Sequence, residues 1–217
     1  MKLVGVVPAA GYARRLQPLS GSKEVYPVDG RPVMDYVVDR MRAADCDELR
    51  VVTRPDKEDV IANANRHGAT VVLGTPKSLS ASIALGVAGL AGADVVLLGF
   101  PDTVWRAPAA FEPLVSALEG HEAALGLFPT AEPETCDTVT CDAEGRVTAI
   151  EVKAPEPASD LLWGCAALRA RALEGIAGEA DPGYRLAALA RAGAVAGVRL
   201  PGSFVDIGKS RERLPAL

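Results

Sequence analysis

Histidine, cysteine and aromatic residues are scarce in this sequence. The 217 residues include two histidines and four cysteines, and aromatic residues make up 5%. Cysteines 46, 136, 141 and 165 form no closely spaced pair, so we expect free thiols and no structural zinc site. His67 and His121 lie far apart and outside any motif. Hydrolysis by a Ser-His-Asp triad is therefore not the expected chemistry.

Long apolar runs and basic runs are also missing. No stretch approaches the length of a membrane-spanning helix, and the N-terminal MKLVGVVPAAG is apolar only briefly before Pro8. It predicts a first core strand and no signal peptide. The net charge of -5 and the pI near 5.2 argue against nucleic acid as a partner. We expect a cytoplasmic protein that binds neither membranes nor nucleic acid, whereas a small anionic ligand remains compatible with locally placed charge.

Strand-like and helix-like segments alternate along the chain. Apolar spacing predicts helices over 33–41, 56–67, 82–90, 109–119 and 185–192, with Ser80 or Ser82 as the N-cap of the third. Strands are predicted from Leu3 and over 49–53, 70–73, 94–99, 123–128, 194–200 and 203–207. Further strands over 136–141, 146–152 and 161–168, joined by turns, suggest an antiparallel excursion. The alternation predicts an α/β fold with a mostly parallel sheet, in one domain over residues 1–217.

The stretch VVPAAGYARRLQP, residues 6–18, is the most informative in the chain. Its small residues, Ala9, Ala10 and Gly11, would let backbone N–H groups approach a polyphosphate. Arg14, Arg15 and Lys23 would bring positive charge to the same anion. The competing interpretation is an ordinary loop with solvated arginines. A dinucleotide-binding dehydrogenase fits poorly because the G-x-G-x-x-G motif is missing.

Charged residues also follow later apolar runs. Asp102 follows VVLLGFP, Asp206 follows Ser203-Phe204-Val205, and Lys153 follows AIEV. Since ligands of parallel sheets bind beyond the carboxyl ends of the strands, the two aspartates could together hold Mg²⁺, which prefers oxygen ligands. Each aspartate could equally be a turn former or helix cap. For Lys77 and Lys209, which also adjoin these segments, we favour ordinary surface positions.

These motifs resemble those of sugar-1-phosphate nucleotidyltransferases, a family that includes glucose-1-phosphate thymidylyltransferases and uridylyltransferases. AAGYARRLQPLS followed by KEVYPVDGRPVMDYV is similar to the family's Gly-rich loop, its Arg-Leu-x-Pro, its Lys and its Pro-Val. LLGFPDT, IEVKAP and FVDIG are similar to later family segments, in the same order. The resemblance implies a Rossmann-like three-layer αβα sandwich, in a short form without the C-terminal helical extension of longer thymidylyltransferases.

The resemblance also implies a reaction and its residues. A nucleoside triphosphate and a sugar 1-phosphate would give an NDP-sugar and pyrophosphate, with dTTP or UTP and a hexose 1-phosphate as the expected substrates. A homo-oligomer is compatible with this assignment. The expected residues are Arg15, Lys23 and Asp102 for catalysis; Ala9, Ala10, Gly11, Arg14, Arg15, Pro76 and Ser80 for the nucleotide; Asp137, Lys153 and Trp163 for the sugar phosphate; and Asp102 and Asp206 for Mg²⁺.

Several positions depart from the family pattern. Ala10 and Ala13 stand where glycine is usual, Val152 stands where an acidic residue is usual, and Cys136-Asp137 replaces a common Tyr-Gly. Asp137 could instead meet an amine or a hydroxyl of the acceptor. The alternatives are a cytidylyl- or guanylyltransferase acting on another sugar, cyclitol or alcohol phosphate, and a non-catalytic regulatory homologue that binds nucleotide sugars.

Overall fold

A computed structural model of the protein describes residues 1–105 and 111–209. The strands are β1 (Leu3–Pro8), β2 (Pro27–Val28), β3 (Arg31–Pro32), β4 (Glu48–Thr53), β5 (Thr70–Leu73), β6 (Val95–Gly99), β7 (Thr103–Trp105), β8 (Ala123–Pro129), β9 (Asp137–Cys141), β10 (Val147–Val152), β11 (Leu161–Arg169), β12 (Val195–Arg199) and β13 (Phe204–Asp206). The helices are α1 (Met34–Ala43), α2 (Glu58–Arg66), α3 (Leu79–Val87), α4 (Glu112–Ala117) and α5 (Pro182–Arg191).

The main sheet of the described chain has nine strands. Seven of them follow the order β10-β9-β11-β6-β1-β4-β5, while β8 pairs with β11 and β12 pairs with β8. Strand β1 pairs in parallel with β4 and β6, and β4 pairs in parallel with β5. Strand β11 runs antiparallel to both β6 and β8. The prediction of a mostly parallel sheet with an antiparallel excursion is confirmed, and β11 is the strand through which the antiparallel part enters the sheet.

Helices cover both faces of this sheet because successive strand residues point to opposite sides. In β1, Val4 and Val6 pack in one core cluster, whereas Val7 packs in another. The second cluster contains the inner residues of α1, α2 and α4, and the first contains those of α3 and α5. The predicted three-layer αβα sandwich is therefore present.

The predicted elements differ from the observed ones mainly at their ends. Helix α3 begins at Leu79, and its N-cap is Ser78, whose hydroxyl accepts a hydrogen bond from the Ala81 N–H at 3.1 Å. The expected caps, Ser80 and Ser82, lie inside the helix and are buried. The helix predicted over 109–119 is observed as α4, and its first two predicted residues lie outside the described part of the chain.

The parallel pairing sets the position of the candidate site. Strands β1, β4, β5 and β6 run in the same direction, so the loops that follow them emerge at one edge of the sheet. These loops carry Ala9–Gly11, Arg54–Lys57, Pro76–Ser78 and Asp102. Residues that are about 90 positions apart in sequence thus reach one region of the molecule.

Candidate active site

A cleft of about 480 Å³ opens at this edge of the sheet. It extends from the loop after β1 to the start of α5, across the carboxyl end of β6. The predicted site residues that line it are Ala10, Gly11, Lys23, Pro76, Asp102, Asp137, Lys153, Trp163 and Asp206. The structure therefore brings together members of each predicted set: loop residues, two of the three residues predicted for catalysis, those predicted for the sugar phosphate, and both aspartates.

Lys23 and Asp102 form an ion pair in the cleft. The Lys23 ammonium donates a hydrogen bond to Oδ2 of Asp102, and both side chains are mostly buried. Burial alone would lower the pKa of Lys23, but the carboxylates of Asp102, Glu24 and Asp206 raise it above its usual value. Lys23 therefore carries a positive charge in the cleft, as an anion-binding residue must.

The second aspartate reaches the site through a short two-stranded sheet. Strand β13 pairs antiparallel with β7, which places Asp206 opposite Thr103. The Ile207 N–H donates to the Asp102 carbonyl at 3.0 Å, and the Gly208 N–H donates to Oδ1 of Asp206 at 2.7 Å. Burial, followed by repulsion from Asp102, raises the pKa of Asp206. The two carboxyl groups therefore lie close enough to oppose each other's charge.

Gly208 leaves room for these two carboxylates. A Cβ atom at this position would lie 3.1 Å from Asp102 Cγ and 3.1 Å from Asp206 Oδ1, and closer still to an oxygen of Asp102. Two adjacent carboxylates supply the oxygen ligands that Mg²⁺ prefers, and Mg²⁺ usually takes one or two carboxylates together with substrate phosphates and water. No group of three or more potential metal ligands occurs among the described residues. The oxygen donors present are therefore these two carboxylates, a pair whose chemistry fits Mg²⁺.

The loop after β1 is held by contacts on the side away from the cleft. The Ala9 N–H donates to the Val52 carbonyl at 2.7 Å. The Lys57 ammonium donates to the carbonyls of Ala9 and Gly11, at 2.8 and 3.1 Å. Ala9 is fully buried and does not line the cleft, and both of its backbone polar groups are used within the protein. Only Ala10 and Gly11 of the three predicted loop residues border the cleft.

The loop arginines differ in position. The exposed Arg14 does not line the cleft, and its guanidinium lies 5.5 Å from the centre of the Tyr12 ring. Arg54, after β4, lies 3.8 Å from the same centre and donates to Asp56 at 2.9 and 2.7 Å. The catalytic assignment of Arg15 concerns a side chain outside the described part of the structure. Tyr12 itself lines the cleft.

Helix α3 contributes Leu79 and Ser82 to the cleft wall, and the residues before it contribute Pro76, Lys77 and Ser78. The predicted nucleotide residue Ser80 is fully buried and does not line the cleft. The reason is helical geometry: Ser78 and Ser82 are four residues apart and share a face, whereas Ser80 points away from it. Ser78 and Ser82 thus occupy the position that we predicted for Ser80.

At the far end of the cleft, Asp137 and Lys153 meet Asp181, which we did not predict. Lys153 donates to Oδ2 of Asp181 at 2.5 Å, while Asp181 caps α5 by accepting from the Gly183 N–H at 3.0 Å. Burial, followed by repulsion from Asp181, raises the pKa of Asp137 to about 6. A hydrogen bond from Trp163 opposes this rise. Asp181 carried no sequence signal other than its place before Pro182, which is typical of an N-cap.

Two lysines that we expected on the ordinary surface also border the cleft. Lys77 lies in its wall. Lys209 donates to Thr135 Oγ1 at 2.6 Å and contacts Cys136 Sγ at 3.0 Å. Within the described chain, four lysines and five carboxylates therefore line the cleft: Lys23, Lys77, Lys153 and Lys209 with Glu24, Asp102, Asp137, Asp181 and Asp206.

Residues 5–191 match the family model of the MobA-like NTP transferase domain. The chain belongs to this family. The transferase domain is also 26% identical over 173 residues to the low-salt glycan biosynthesis nucleotidyltransferase Agl11 of Haloferax volcanii, a match covering 72% of this chain and 46% of the relative. The resemblance to nucleotidyltransferases that the motifs indicate is therefore confirmed.

A second relative is the glucose-1-phosphate thymidylyltransferase of Mycolicibacterium smegmatis, 24% identical over 164 residues. That match covers 71% of the transferase domain and 57% of the relative. The chain thus spans about half the length of these relatives. The structure of a UDP-glucose pyrophosphorylase complexed with UDP-glucose superposes with a TM-score of 0.82 at 19% identity, covering 99% of this chain and 96% of the other. This likeness concerns the fold.

The helices of the transferase domain give no indication of a membrane span. Among the described residues, each helix is too short or too polar to cross a bilayer.

Proposed function

We propose that this protein transfers a nucleotidyl group from a nucleoside triphosphate to a sugar 1-phosphate and releases pyrophosphate. The observation that carries the proposal is a single cleft containing the loop after β1, the Lys23–Asp102 pair and Asp206. Membership of a family of NTP transferase domains supports the same reaction. A regulatory homologue that only binds nucleotide sugars would also need these groups, so release of pyrophosphate is the observation that separates the two functions.

The proposed reaction forms one phosphorus–oxygen bond and breaks another. A phosphate oxygen of the acceptor attacks the α-phosphorus, and the bond from the α-phosphorus to the oxygen that leaves with pyrophosphate breaks. The attacking oxygen is already ionised, so no general base is required. The barrier is mainly electrostatic because two anions must meet, and positioning and charge neutralisation have to provide the acceleration.

Lys23 is the residue proposed to act on the reacting phosphates. Its charged ammonium lies beside Asp102, between the loop and the acceptor end of the cleft. Asp102 and Asp206 would hold Mg²⁺, which supplies charge neutralisation and alignment of the phosphate oxygens when bound. The backbone at Ala10 and Gly11 would face the triphosphate. Arg15 remains a proposed contact to the departing pyrophosphate.

Lys153, Asp137 and Trp163 are proposed to bind the acceptor. Lys153 supplies a positive charge for the phosphate of the acceptor, and its partner Asp181 fixes its direction. Asp137 presents a half-buried carboxyl to the remainder of the acceptor, where it would accept hydrogen bonds from hydroxyl or amine groups. The Trp163 ring, 5.4 Å from that of Phe100, forms an apolar wall.

For the substrates we propose dTTP or UTP with a hexose 1-phosphate. Support comes from the thymidylyltransferase relative and the UDP-glucose pyrophosphorylase fold. Pro76, Leu79 and Ser82 line the cleft near the proposed base position. A hydroxyl both donates and accepts hydrogen bonds, so Ser82 suits several bases. The test must therefore include cytidine and guanosine triphosphates.

The test is pyrophosphate release in the presence of Mg²⁺. A panel crosses the ribo- and deoxyribonucleoside triphosphates with several sugar 1-phosphates. We expect release that needs both substrates and falls by about 10²-fold or more in Asp102→Asn, an isosteric substitution whose amide oxygen can still accept a hydrogen bond from Lys23. Asp160→Asn, at an exposed position, is the matched control and should retain full activity. Near-normal turnover of Asp102→Asn would contradict the assignment of this residue.

A further inference from the structure

A buried ion pair lies under the loop after β1. Lys57, just before α2, and Glu24, in the turn after Lys23, have side chains that are 6% and 1% exposed. Their N–O distance is 2.6 Å. Burying two charges is costly, and an ion pair offsets the cost only when its remaining polar groups find partners. Glu24 Oε1 is buried and has no hydrogen-bond partner among the described residues, so the pair calls for an explanation beyond stability.

The Lys57 ammonium has a partner for each of its three donors. It donates to Glu24 and to the carbonyls of Ala9 and Gly11. The two carbonyls come from one short loop, so a single cation fixes the direction of two peptide groups. A carbonyl that turned into the cleft would present the negative end of its dipole to any phosphate bound there. A carbonyl that points to Lys57 keeps this negative end away from the cleft.

Glu24 binds the Lys57 ammonium, which in turn binds two carbonyls of the loop after β1. Its carboxylate accepts from Lys57 through Oε2, and the residue directly follows Lys23, whose ammonium pairs with Asp102. Glu24 borders the cleft and is fully buried. The turn containing Glu24 thus connects the loop support to the Lys23–Asp102 pair, two parts of the site that are formed by different strands.

We propose that Lys57 and Glu24 are positioning residues for the nucleoside triphosphate, because they turn the carbonyls of the loop away from its phosphates. Neither residue touches the substrates in this proposal. The inference rests on the proposed function, since it assumes that the loop binds the triphosphate. The expected consequence is selective: nucleotide binding depends on the pair, whereas acceptor binding at Lys153 and Asp137, at the other end of the cleft, does not.

Two variants separate positioning from stability. Lys57→Met leaves Glu24 as an unpaired buried carboxylate, so it should lower Tm as well as nucleotide affinity. Lys57→Met/Glu24→Leu replaces the whole pair by apolar side chains of similar volume, a change that is often neutral for stability. The double variant should recover the part of Tm that was lost to the unpaired carboxylate, but not the nucleotide affinity, because the two loop carbonyls still lack their donor. Lys2→Met, at an exposed N-terminal position, is the control.

The measurements are Tm, the KM for each substrate and kcat. We expect the KM for the triphosphate to rise by about tenfold or more in the double variant. This is the size of effect expected when the two loop carbonyls lose their hydrogen bonds to the Lys57 ammonium. The KM for the sugar phosphate should change by less than about threefold, because the residues proposed to bind it do not contact Lys57 or Glu24. A double variant whose KM for the triphosphate equals that of the wild type would overturn the proposal and leave the pair a structural role alone.

Calorimetric titration with the triphosphate, without acceptor, distinguishes failure of this inference from failure of the proposed function. A wild type that binds nucleotide but releases no pyrophosphate with any acceptor contradicts the proposed reaction only. The inference then stands if the double variant binds at least about tenfold more weakly, and is overturned if the affinities are equal. A wild type that binds no triphosphate overturns both.

Discussion

Asp137 is held where its charge is unfavourable. It lies half-buried beside the carboxylate of Asp181, and its pKa rises to about 6, with burial as the first cause and Asp181 as the second. A carboxyl group placed at such a cost in a cleft indicates a functional constraint. In the proposed site, a hydroxyl or amine group of the sugar phosphate would offset this cost by donating a hydrogen bond to the Asp137 carboxylate.

We predict that Asp137→Asn stabilises the unliganded protein at pH 7.5. The pKa of the carboxyl is about 6 in the folded protein, against an ordinary value of 3.8 for aspartate. The folded state therefore binds a proton more tightly than the unfolded chain does, and wild-type stability falls as pH rises through this interval. The variant avoids this loss, which we put at about 1–3 kcal/mol.

Thermal unfolding of both proteins at pH 5 and pH 7.5 measures this effect. The difference in Tm between variant and wild type should be larger at pH 7.5 and should shrink as the pH falls through 6. Asp160→Asn, at an exposed position, should show the same small difference at both values. A variant that is less stable than the wild type at pH 7.5 would contradict the unfavourable burial of Asp137.

Residues at the ends of apolar runs could be predicted as site residues, whereas residues that act through long-range partners could not. Asp102 and Asp206 follow strands and line the cleft, as their positions suggested. Lys57 lies in a polar stretch that predicts only a solvated helix start, and its partners are 33 and 48 positions away. Nothing near Lys57 in the sequence indicates that its ammonium is buried.

At the scale of elements, α3 lies very close to the sheet. A Cβ atom at Gly86 would lie 3.1 Å from Val52 Cγ2 and closer than that to a methyl group of Val6. The helix can approach β1 and β4 only because this position lacks a side chain. The beginning of the same helix forms the cleft wall near Ser78 and Leu79, so its distance from the sheet also sets the width of the cleft.

We predict that Gly86→Ala destabilises the protein by about 1–3 kcal/mol, the usual cost of overpacking a core. In an exposed helix the same substitution would be favourable, so the sign tests the packing directly. Gly178→Ala is the matched control because no atom lies within 4 Å of its added Cβ. Chemical denaturation of the two variants gives the comparison. Equal stabilities would mean that α3 moves away from the sheet without cost.

The order and type of the longer elements could be predicted, since hydrophobic spacing reports them directly. The short strands β2, β3 and β7 were not predicted, because two or three residues are too few to show a period. Strand β5 has the predicted bounds, and β4 begins one residue early. The start of α3 could not be chosen because Ser78, Ser80 and Ser82 all suit an N-cap, and only the observed bond to Ala81 identifies the first. Which strands pair with β11 depends on the whole sheet and had no local signal.

At the scale of the whole molecule, the site joins segments that are up to about 200 residues apart in the sequence, from Pro8 to Lys209. Asp102 and Asp206 come together through the pairing of β7 with β13, and the loop after β1 approaches them through the parallel pairing of β1 with β6. A ligand bound across these segments would link regions that are far apart in sequence. Its binding energy would therefore add to the stability of the folded chain as a unit.

We predict that a cognate triphosphate with Mg²⁺ raises Tm, and that the increase requires both aspartates. At a ligand concentration about 100-fold above Kd the gain is about 2.7 kcal/mol, or about 5–10 °C for a chain of this length. Asp206→Asn should lose most of the shift because one of the two carboxylates proposed to hold the metal is gone, whereas Asp160→Asn should keep it. Melting curves with triphosphate alone, Mg²⁺ alone and both together provide the measurement. If the triphosphate shifts the Tm of Asp206→Asn as far as that of the wild type, Asp206 does not hold the metal, and the carboxyl end of β13 contributes only to the wall of the cleft.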